Sequence, residues 1–229
     1  MKIGGFMKLT LLDYPEKVAC TVFTVGCNFR CPFCHNASLV EQRDCQELSV
    51  DGVLQVLKKR KHILEGMCLT GGEPLLQKGV DDFLRKVKAL GYKVKLDTNG
   101  SFPQKLMDLV QEGLVDYVAM DIKNSMDMYN QTAGCNVDMD SIVRSVDSLK
   151  QGTVDYEFRT TVTKNFHSEQ SIRQMAQWLQ GAKRYYLQQF VDSGDLIDNS
   201  ITGVDDNTLH NYLQIVQEYI PHAVLRGID

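Results

Sequence analysis

Short apolar segments and amphipathic helical segments alternate along nearly the whole chain. The predicted strands, which are short runs of apolar and β-branched residues bounded by Gly, Asp, Asn or polar clusters, are residues 18–25, 67–70, 93–97, 117–122, 156–162 and 185–190. The predicted helices are residues 50–60, 80–90, 103–112, 140–151, 168–180 and 205–219, and a short strand at 223–225 follows. This repetition predicts parallel strands joined by right-handed crossovers, and therefore a doubly wound sheet or an incomplete barrel.

The composition excludes several other classes of protein. A chain of 229 residues with 43% hydrophobic and 24% charged residues is typical of a globular protein, not of a disordered or collagen-like one. A net charge of −4 argues against a nucleic-acid or membrane-surface binder. No apolar run approaches the ~20 residues that a membrane span needs. The N-terminus lacks the apolar core of a signal peptide, so we expect a cytoplasmic protein with one domain over residues 1–229.

Three of the seven cysteines lie within eight residues, directly after the first predicted strand. Cys27, Cys31 and Cys34 have the spacing C-x3-C-x2-C, which suits metal ligation in a reduced compartment better than disulfides. Three thiolates could hold three corners of a four-iron cluster and leave one iron open. The alternatives are a zinc loop or three ordinary thiols, but a zinc site needs four ligands and His35 is poorly placed beside Cys34.

Glycines and a carboxylate follow the second predicted strand. Gly71 and Gly72 would let the backbone approach a ligand closely, and Glu73 could accept a hydrogen bond from an ammonium group. In an incomplete barrel, ligands collect at the carboxyl ends of the strands, so these residues should lie beside the cysteine loop. Taken alone, the two glycines indicate only a turn.

Charged residues end or lie on the next three predicted strands. Asp97 precedes an Asn-Gly turn, and Asp121 and Lys123 share a face while the chain remains extended. Arg159 lies within the fifth strand, where a buried Arg needs a partner. A solvated turn aspartate and simple ion pairs, in which Arg159 would bind Glu157 or an Asp, remain alternatives.

The combined motifs resemble those of the radical S-adenosylmethionine (SAM) superfamily. The segment from Cys27 to Cys34 resembles its cluster loop, in which Phe33 would pack beside the adenine. Gly71-Gly72-Glu73-Pro74 resembles the motif that holds the amino group of SAM. The resemblance implies an incomplete (β/α)6 TIM-like barrel, with a core at about 17–190 and a C-terminal helical extension at about 205–229.

The remaining motifs resemble those of glycyl-radical-enzyme activases within that superfamily. There, elements like Asp97-Thr98-Asn99-Gly100 and Asp121-Ile122-Lys123 contact the ribose of SAM, its carboxylate or a nearby monovalent cation. Asn36 would touch the cofactor, and Arg159 would contact SAM or a product. Formate-lyase-type activases carry a His near Phe190, where this chain has Gln189 instead.

The resemblance implies an oxidoreductase that cleaves SAM reductively at a [4Fe-4S] cluster, giving a 5′-deoxyadenosyl radical that abstracts hydrogen. It is strongest to activating proteins of anaerobic (class III) ribonucleoside-triphosphate reductase, whose target is a glycine Cα. Only 36 residues separate Cys34 from Gly71, which leaves no room for a ferredoxin-like insert. The expected partners are that reductase and a flavodoxin or ferredoxin electron donor, without a membrane or nucleic acid.

Three other functions remain open for the chain as a whole. The alternatives are activation of a pyruvate formate-lyase type enzyme, a radical reaction on a small molecule, and a non-catalytic iron–sulfur or zinc module.

Cys20 and Cys68 are expected in the core, and Cys45 and Cys135 in loops. The basic run at residues 58–62 is expected to be a solvated helix end, although it could also bind an acidic electron donor.

Overall fold

The computed structural model describes residues 1–43 and 47–227, and in them the strands form one sheet. The strands are β1 Ile3–Thr10, β2 Ala19–Thr24, β3 Gly66–Gly71, β4 Lys93–Thr98, β5 Tyr117–Asp121, β6 Asp155–Val162, β7 Tyr185–Gln189 and β8 Val224–Arg226. The helices are α1 Ala37–Glu41, α2 Val50–Lys59, α3 Val80–Ala89, α4 Pro103–Gln111, α5 Tyr129–Ala133, α6 Met139–Lys150, α7 Glu169–Trp178 and α8 Asp206–Gln217, with a 3₁₀ turn at Pro74–Leu76.

Each strand pairs with the strand that follows it in the sequence, so the spatial order runs from β1 to β8. Strands β2 to β8 are parallel, and β1 is antiparallel to β2. A doubly wound sheet reverses its strand order at a switch point, and this sheet does not. The predicted incomplete barrel is therefore confirmed, because in the described residues β1 and β8 remain as open edges.

The helices pack apolar faces onto the outside of this sheet. In α3, the buried residues Val80, Phe83, Leu84 and Val87 follow the predicted helical spacing, and its polar side chains face solvent. Pro103 begins α4, where its missing N–H costs no hydrogen bond. These buried helix residues pack against the outward-facing residues of the strands, and together they form the main core. The inward-facing side chains of the strands are therefore left to fill the interior of the barrel.

Strand β1 and the two shortest helices were not predicted from the sequence. Met7, Lys8 and Leu9 of β1 are all exposed, so this edge strand has neither the alternation nor the buried run that identifies a strand. Helices α1 and α5 have five residues each, which is too short to show a helical period. The other predicted elements are present, with ends that differ by a few residues.

Cysteine burial follows the expectations where the structure describes it. Cys20 and Cys68 are buried in β2 and β3, and Cys135 follows α5 in a loop. Cys45 lies outside the described residues. Within the described ranges, no helix is both long and apolar enough to cross a membrane.

Candidate functional site

A cavity of about 250 Å³ lies at the carboxyl ends of the parallel strands. All twelve predicted site residues line it: Cys27, Cys31, Phe33, Cys34, Asn36, Gly71, Gly72, Glu73, Asp97, Asp121, Lys123 and Arg159. Eleven of them lie at or beyond the ends of β2 to β5, and Arg159 points inward from β6. The structure therefore brings together residues that are up to 132 positions apart, counted from Cys27 to Arg159.

The three cysteines of the loop after β2 are buried or half-buried and form no disulfide. Burial raises the pKa of Cys27 to about 11 and that of Cys31 to about 12, and it also raises the pKa of Cys34. The N–H of Phe29 donates to the sulfur of Cys27 at 3.3 Å, which stabilises negative charge on that atom. Three buried thiols beside one cavity fit an iron–sulfur cluster, because the bound iron would take the thiolates and release their protons.

Arg30 organises this loop instead of facing the cavity. Its guanidinium donates to the carbonyl oxygens of Cys27 at 2.6 Å and Phe29 at 2.8 Å. The N–H of Arg30 donates to the carbonyl of Ala133 at 2.9 Å, which ties the loop to α5. Arg30 therefore fixes the backbone that carries the thiols.

The glycine loop after β3 packs directly on the backbone of the cysteine loop. The N–H groups of Gly72 and Glu73 donate to the carbonyls of Thr24 and Gly26, both at 2.9 Å. A Cβ at Gly72 would overlap the Gly26 carbonyl, and a Cβ at Gly71 would overlap the backbone of Thr24. The glycines are required here for contact between two loops, whereas the sequence had indicated only contact with a ligand.

One polar side chain joins these two loops, and one aromatic side chain forms a wall of the cavity beside them. Asn36 donates from Nδ2 to the carbonyl of Gly71 at 3.1 Å, so it bridges the cysteine and glycine loops. Phe33 is buried with its ring 6.2 Å from that of Phe166 (centroid to centroid), and it forms an apolar wall of the cavity.

Glu73 is buried and hydrogen-bonded to the chain on both oxygens. It accepts from the N–H of Leu75 at 3.0 Å, the hydroxyl of Thr98 at 2.9 Å and the N–H of Asn99 at 2.7 Å. Burial raises the pKa of Glu73 to about 7, although these hydrogen bonds oppose the change. This carboxylate therefore joins the loops after β3 and β4, a task that the sequence did not indicate.

The inward side chains of β4, β5 and β6 form a continuous charge array. Arg159 lies between two carboxylates: Nη1 is 3.2 Å from Asp97 Oδ2, and Nη2 is 2.9 Å from Asp121 Oδ1. Lys123 binds Asp121 Oδ2 at 3.2 Å, and Lys95 binds Asp97 Oδ1. Arg159 thus has the Asp partners of the simpler interpretation and lines the cavity at the same time.

The two carboxylates of the array remain ionised at neutral pH. Burial would raise the pKa of Asp121, but Arg159 and Lys123 outweigh it and lower this pKa to about 2. The pKa of Asp97 is lowered in the same way, because Arg159 and Lys95 outweigh burial. Burial would lower the pKa of Lys123 and of Arg159, but Asp121 raises both instead.

Lys95 and His167 also belong to the site, although neither was predicted from the sequence. Lys95 is two residues before Asp97 on β4, so strand alternation could have placed both on the inner face. His167 accepts at Nδ1 from the N–H of Thr163 at 3.1 Å, which leaves the proton on Nε2 to donate to the carbonyl of Lys123 at 3.0 Å. No sequence signal identifies that link, because it depends on how two loops pack.

Gln189 is the residue at the position where a His had been expected. Its Nε2 donates to the carbonyl of Val204 at 2.7 Å, and its Oε1 is buried without a hydrogen-bond partner in the described part of the chain. Neighbouring His35 lines the cavity with its ring 5.5 Å from that of Phe190 (centroid to centroid). In residues 1–43 and 47–227, no three His, Cys, Asp or Glu side chains are arranged to hold a single metal ion.

Comparisons with known proteins agree with this arrangement. The pattern of the radical SAM superfamily matches residues 21–179. A protein of Methanocaldococcus jannaschii, named as a glycyl-radical enzyme activating enzyme, is 30% identical over 99% of this chain and 96% of its own length. The pyruvate formate-lyase 1-activating enzyme of Escherichia coli K12 is 31% identical over 57% of this chain and 55% of its own.

Solved structures agree in fold. The crystal structure of Streptococcus suis SuiB bound to precursor peptide SuiA superposes with a TM-score of 0.72 and 16% identity. It covers 90% of this chain and 48% of the SuiB chain.

Proposed function

Because the chain belongs to the radical SAM superfamily, we propose that it is the activating enzyme of an anaerobic (class III) ribonucleoside-triphosphate reductase. The observation that carries the proposal is the end-to-end likeness to a relative named as a glycyl-radical enzyme activating enzyme, which leaves almost no part of either chain unmatched. The short interval between Cys34 and Gly71 also supports it, because 36 residues leave no room for an extra cluster domain.

Different residues of the cavity would hold the two cofactors, the iron–sulfur cluster and SAM. Cys27, Cys31 and Cys34 would hold a [4Fe-4S] cluster by three of its irons, and the glycine loop with Lys123 would hold SAM beside the remaining iron. When bound, the cluster and SAM supply an electron and an organic radical precursor, and this chemistry belongs to the cofactors. The chain supplies position, charge and exclusion of water.

Position is provided by contacts between loops. Asn36 and the Gly72 and Glu73 N–H groups hold the cysteine and glycine loops together, so both groups would be bound by one rigid surface. Lys123 provides an ammonium just beyond the end of β5, where the carboxylate of SAM would find a charged partner. Control of position matters here because a free radical attacks any nearby C–H bond.

The substrate is proposed to be a macromolecule that closes the cavity from the strand-end side. A glycine in a loop of the reductase would reach the cavity and lose a hydrogen atom from its Cα. The electron would come from a flavodoxin or ferredoxin.

The test is an anaerobic electron paramagnetic resonance experiment. The chain is reconstituted with iron and sulfide, mixed with SAM, a low-potential reductant and a class III reductase, and the spectrum is recorded. We expect the doublet of a glycyl radical, absent without SAM and absent with Cys31→Ala. If 5′-deoxyadenosine accumulates with no doublet, the radical chemistry stands and this partner is wrong.

Pyruvate formate-lyase is the second candidate partner, since its activating enzyme in E. coli matches 57% of this chain. The same experiment with pyruvate formate-lyase in place of the reductase separates the two candidates. A doublet with the lyase alone would replace the proposed partner. A small-molecule substrate turned over without any partner protein would overturn both.

A further inference from the structure

Each carboxylate oxygen of Asp97 and Asp121 contacts a cationic side chain of this chain. Arg159 contacts one oxygen of each carboxylate, Lys95 contacts the other oxygen of Asp97, and Lys123 contacts the other oxygen of Asp121. Arg159 uses both Nε and Nη2 on Asp121 Oδ1, at 2.9 Å each. The guanidinium therefore lies between the two aspartates and holds both.

Moving Arg159 out of this position would cost free energy. Its side chain is 14% exposed, and removing one partner of a buried charge pair leaves an uncompensated buried charge. Asp121 also acts to raise the pKa of Asp97, as expected for neighbouring carboxylates. The guanidinium offsets this repulsion with a planar group that can bind both at once.

The array does not fit a bound monovalent cation. Such an ion needs several oxygen ligands, and the four carboxylate oxygens here are already paired with cations. Three cationic side chains and two carboxylates leave one net positive charge, so an added Na⁺ or K⁺ would meet like charges. The resemblance to glycyl-radical activases implied a cation near the carboxylate of SAM, and these residues disagree with it.

We propose that Arg159 is a resident counter-charge that takes the place of a monovalent cation between Asp97 and Asp121. The carboxylate of SAM would then be bound by the positive charge of these side chains, without an added cation. The proposal concerns these five side chains and does not depend on which glycyl-radical enzyme is the partner. Its distinguishing consequence is that the protein responds to Na⁺ or K⁺ only after Arg159 is removed.

The experiment measures ion binding to the cluster-free protein. Thermal unfolding is recorded in choline chloride and in NaCl or KCl at equal ionic strength, and ²³Na line broadening reports direct binding. Wild-type protein should unfold at the same temperature in all three salts and broaden no ²³Na signal. Arg159→Met should unfold at a lower temperature in choline, and Na⁺ or K⁺ should restore a few degrees of it in a saturable way.

Arg226→Met is the matched control. Arg226 is also a guanidinium paired with a buried carboxylate, but it binds the single carboxylate of Glu157 at 2.9 Å and does not line the cavity. Its loss should lower the unfolding temperature equally in every salt. Arg159→Lys, which keeps the charge, should remain insensitive to the choice of cation.

Two results would overturn the proposal. One is saturable ²³Na binding, or a specific stabilisation by Na⁺ or K⁺, in the wild-type protein. The other is an Arg159→Met variant that folds but behaves like Arg226→Met, with no ion response. If Arg159→Met does not fold, the wild-type and Arg159→Lys measurements decide, and a failed activase assay has no bearing on either.

Discussion

Gly72 is a residue at which a single methyl group should disrupt the site. A Cβ there would overlap the Gly26 carbonyl, so Gly72→Ala must separate the glycine loop from the cysteine loop. We expect it to lower the free energy of unfolding by about 1–3 kcal/mol and to reduce iron incorporation. Urea unfolding and iron content measure the two effects.

Gly79→Ala is the control for that prediction. Gly79 has nothing within 4 Å of a built Cβ, and only its positive φ opposes a side chain. This variant should lose roughly 1 kcal/mol and keep its iron. Equal iron loss in both variants would mean that the loop contact is not what Gly72 provides.

The cysteine ligands are tested by a thiol that lies against the same loop. Cys31→Ala should abolish the cluster absorbance after reconstitution, because a cluster held by two thiolates is not retained. Cys135→Ala should leave it intact, although the Cys135 sulfur lies 3.5 Å from the carbonyl of Asn28. Cys45→Ala should also leave it intact. Cluster loss in either control would show that the ligand set is wrong.

Glu73 should make the stability of the cluster-free protein depend on pH. Its pKa is about 7 in the folded state, above the usual value of 4.5, so the folded protein binds more protons than the unfolded one between these values. Stability should therefore fall as pH rises through this window, by a few kcal/mol in all. Glu73→Gln should remove this part of the pH dependence. Denaturant unfolding of both proteins from pH 4.5 to 8 measures it, and identical profiles would contradict the prediction.

At the scale of elements, the loops after β5 and β6 are joined by one histidine. His167 links the N–H of Thr163 to the carbonyl of Lys123, and burial lowers its pKa to about 4. His167→Leu leaves two buried backbone groups unpaired, so we expect it to destabilise the protein by about 1–3 kcal/mol. It should also weaken SAM binding through Lys123, and calorimetric titration of the cluster-loaded protein measures that effect.

His210→Ala is the control, because His210 is exposed on α8 and hydrogen-bonds to the Asp206 carbonyl of its own helix. The dependence of stability on acidic pH gives a second test of the role of His167. Its folded-state pKa is lowered below the usual 6.5, so the stability that it supports is lost as pH falls from about 6.5 to about 4. That acid-dependent part should be missing in His167→Leu and present in His210→Ala.

Elements were predictable where their residues repeat with a period, and not elsewhere. The parallel strands carry buried apolar runs, and α3 shows its spacing directly. β1 has exposed residues on both faces, and it is held by pairing with β2, which no local pattern indicates. The parallel strands and their crossovers follow from the alternation together with the right-handed rule, but the sequential strand order and the antiparallel edge do not.

At the scale of the whole molecule, the residues that line the site could be predicted from the sequence, but the hydrogen bonds and ion pairs between them could not. Residues such as Cys31, Gly72 and Asp121 could be chosen because each stands at a strand end. Their partners come from other elements, as with Glu73 and Asn99 or Arg159 and Asp97, and a single sequence gives no distance between them. Strand alternation could have placed Lys95 on the inner face beside Asp97, but it could not show that Arg159 binds the other oxygen of the same carboxylate.

The sequential order of the strands has a consequence for biosynthesis. Each strand pairs with the one made just before it, so the sheet can grow from the ribosome as the chain emerges, without waiting for distant segments. Asp97 and Asp121 are synthesised 38 residues or more before Arg159, which means that a nascent sheet ending at β5 carries two facing carboxylates without their shared cation. Arrival of β6 then joins both, so the growing chain becomes electrostatically complete in a late and cooperative step.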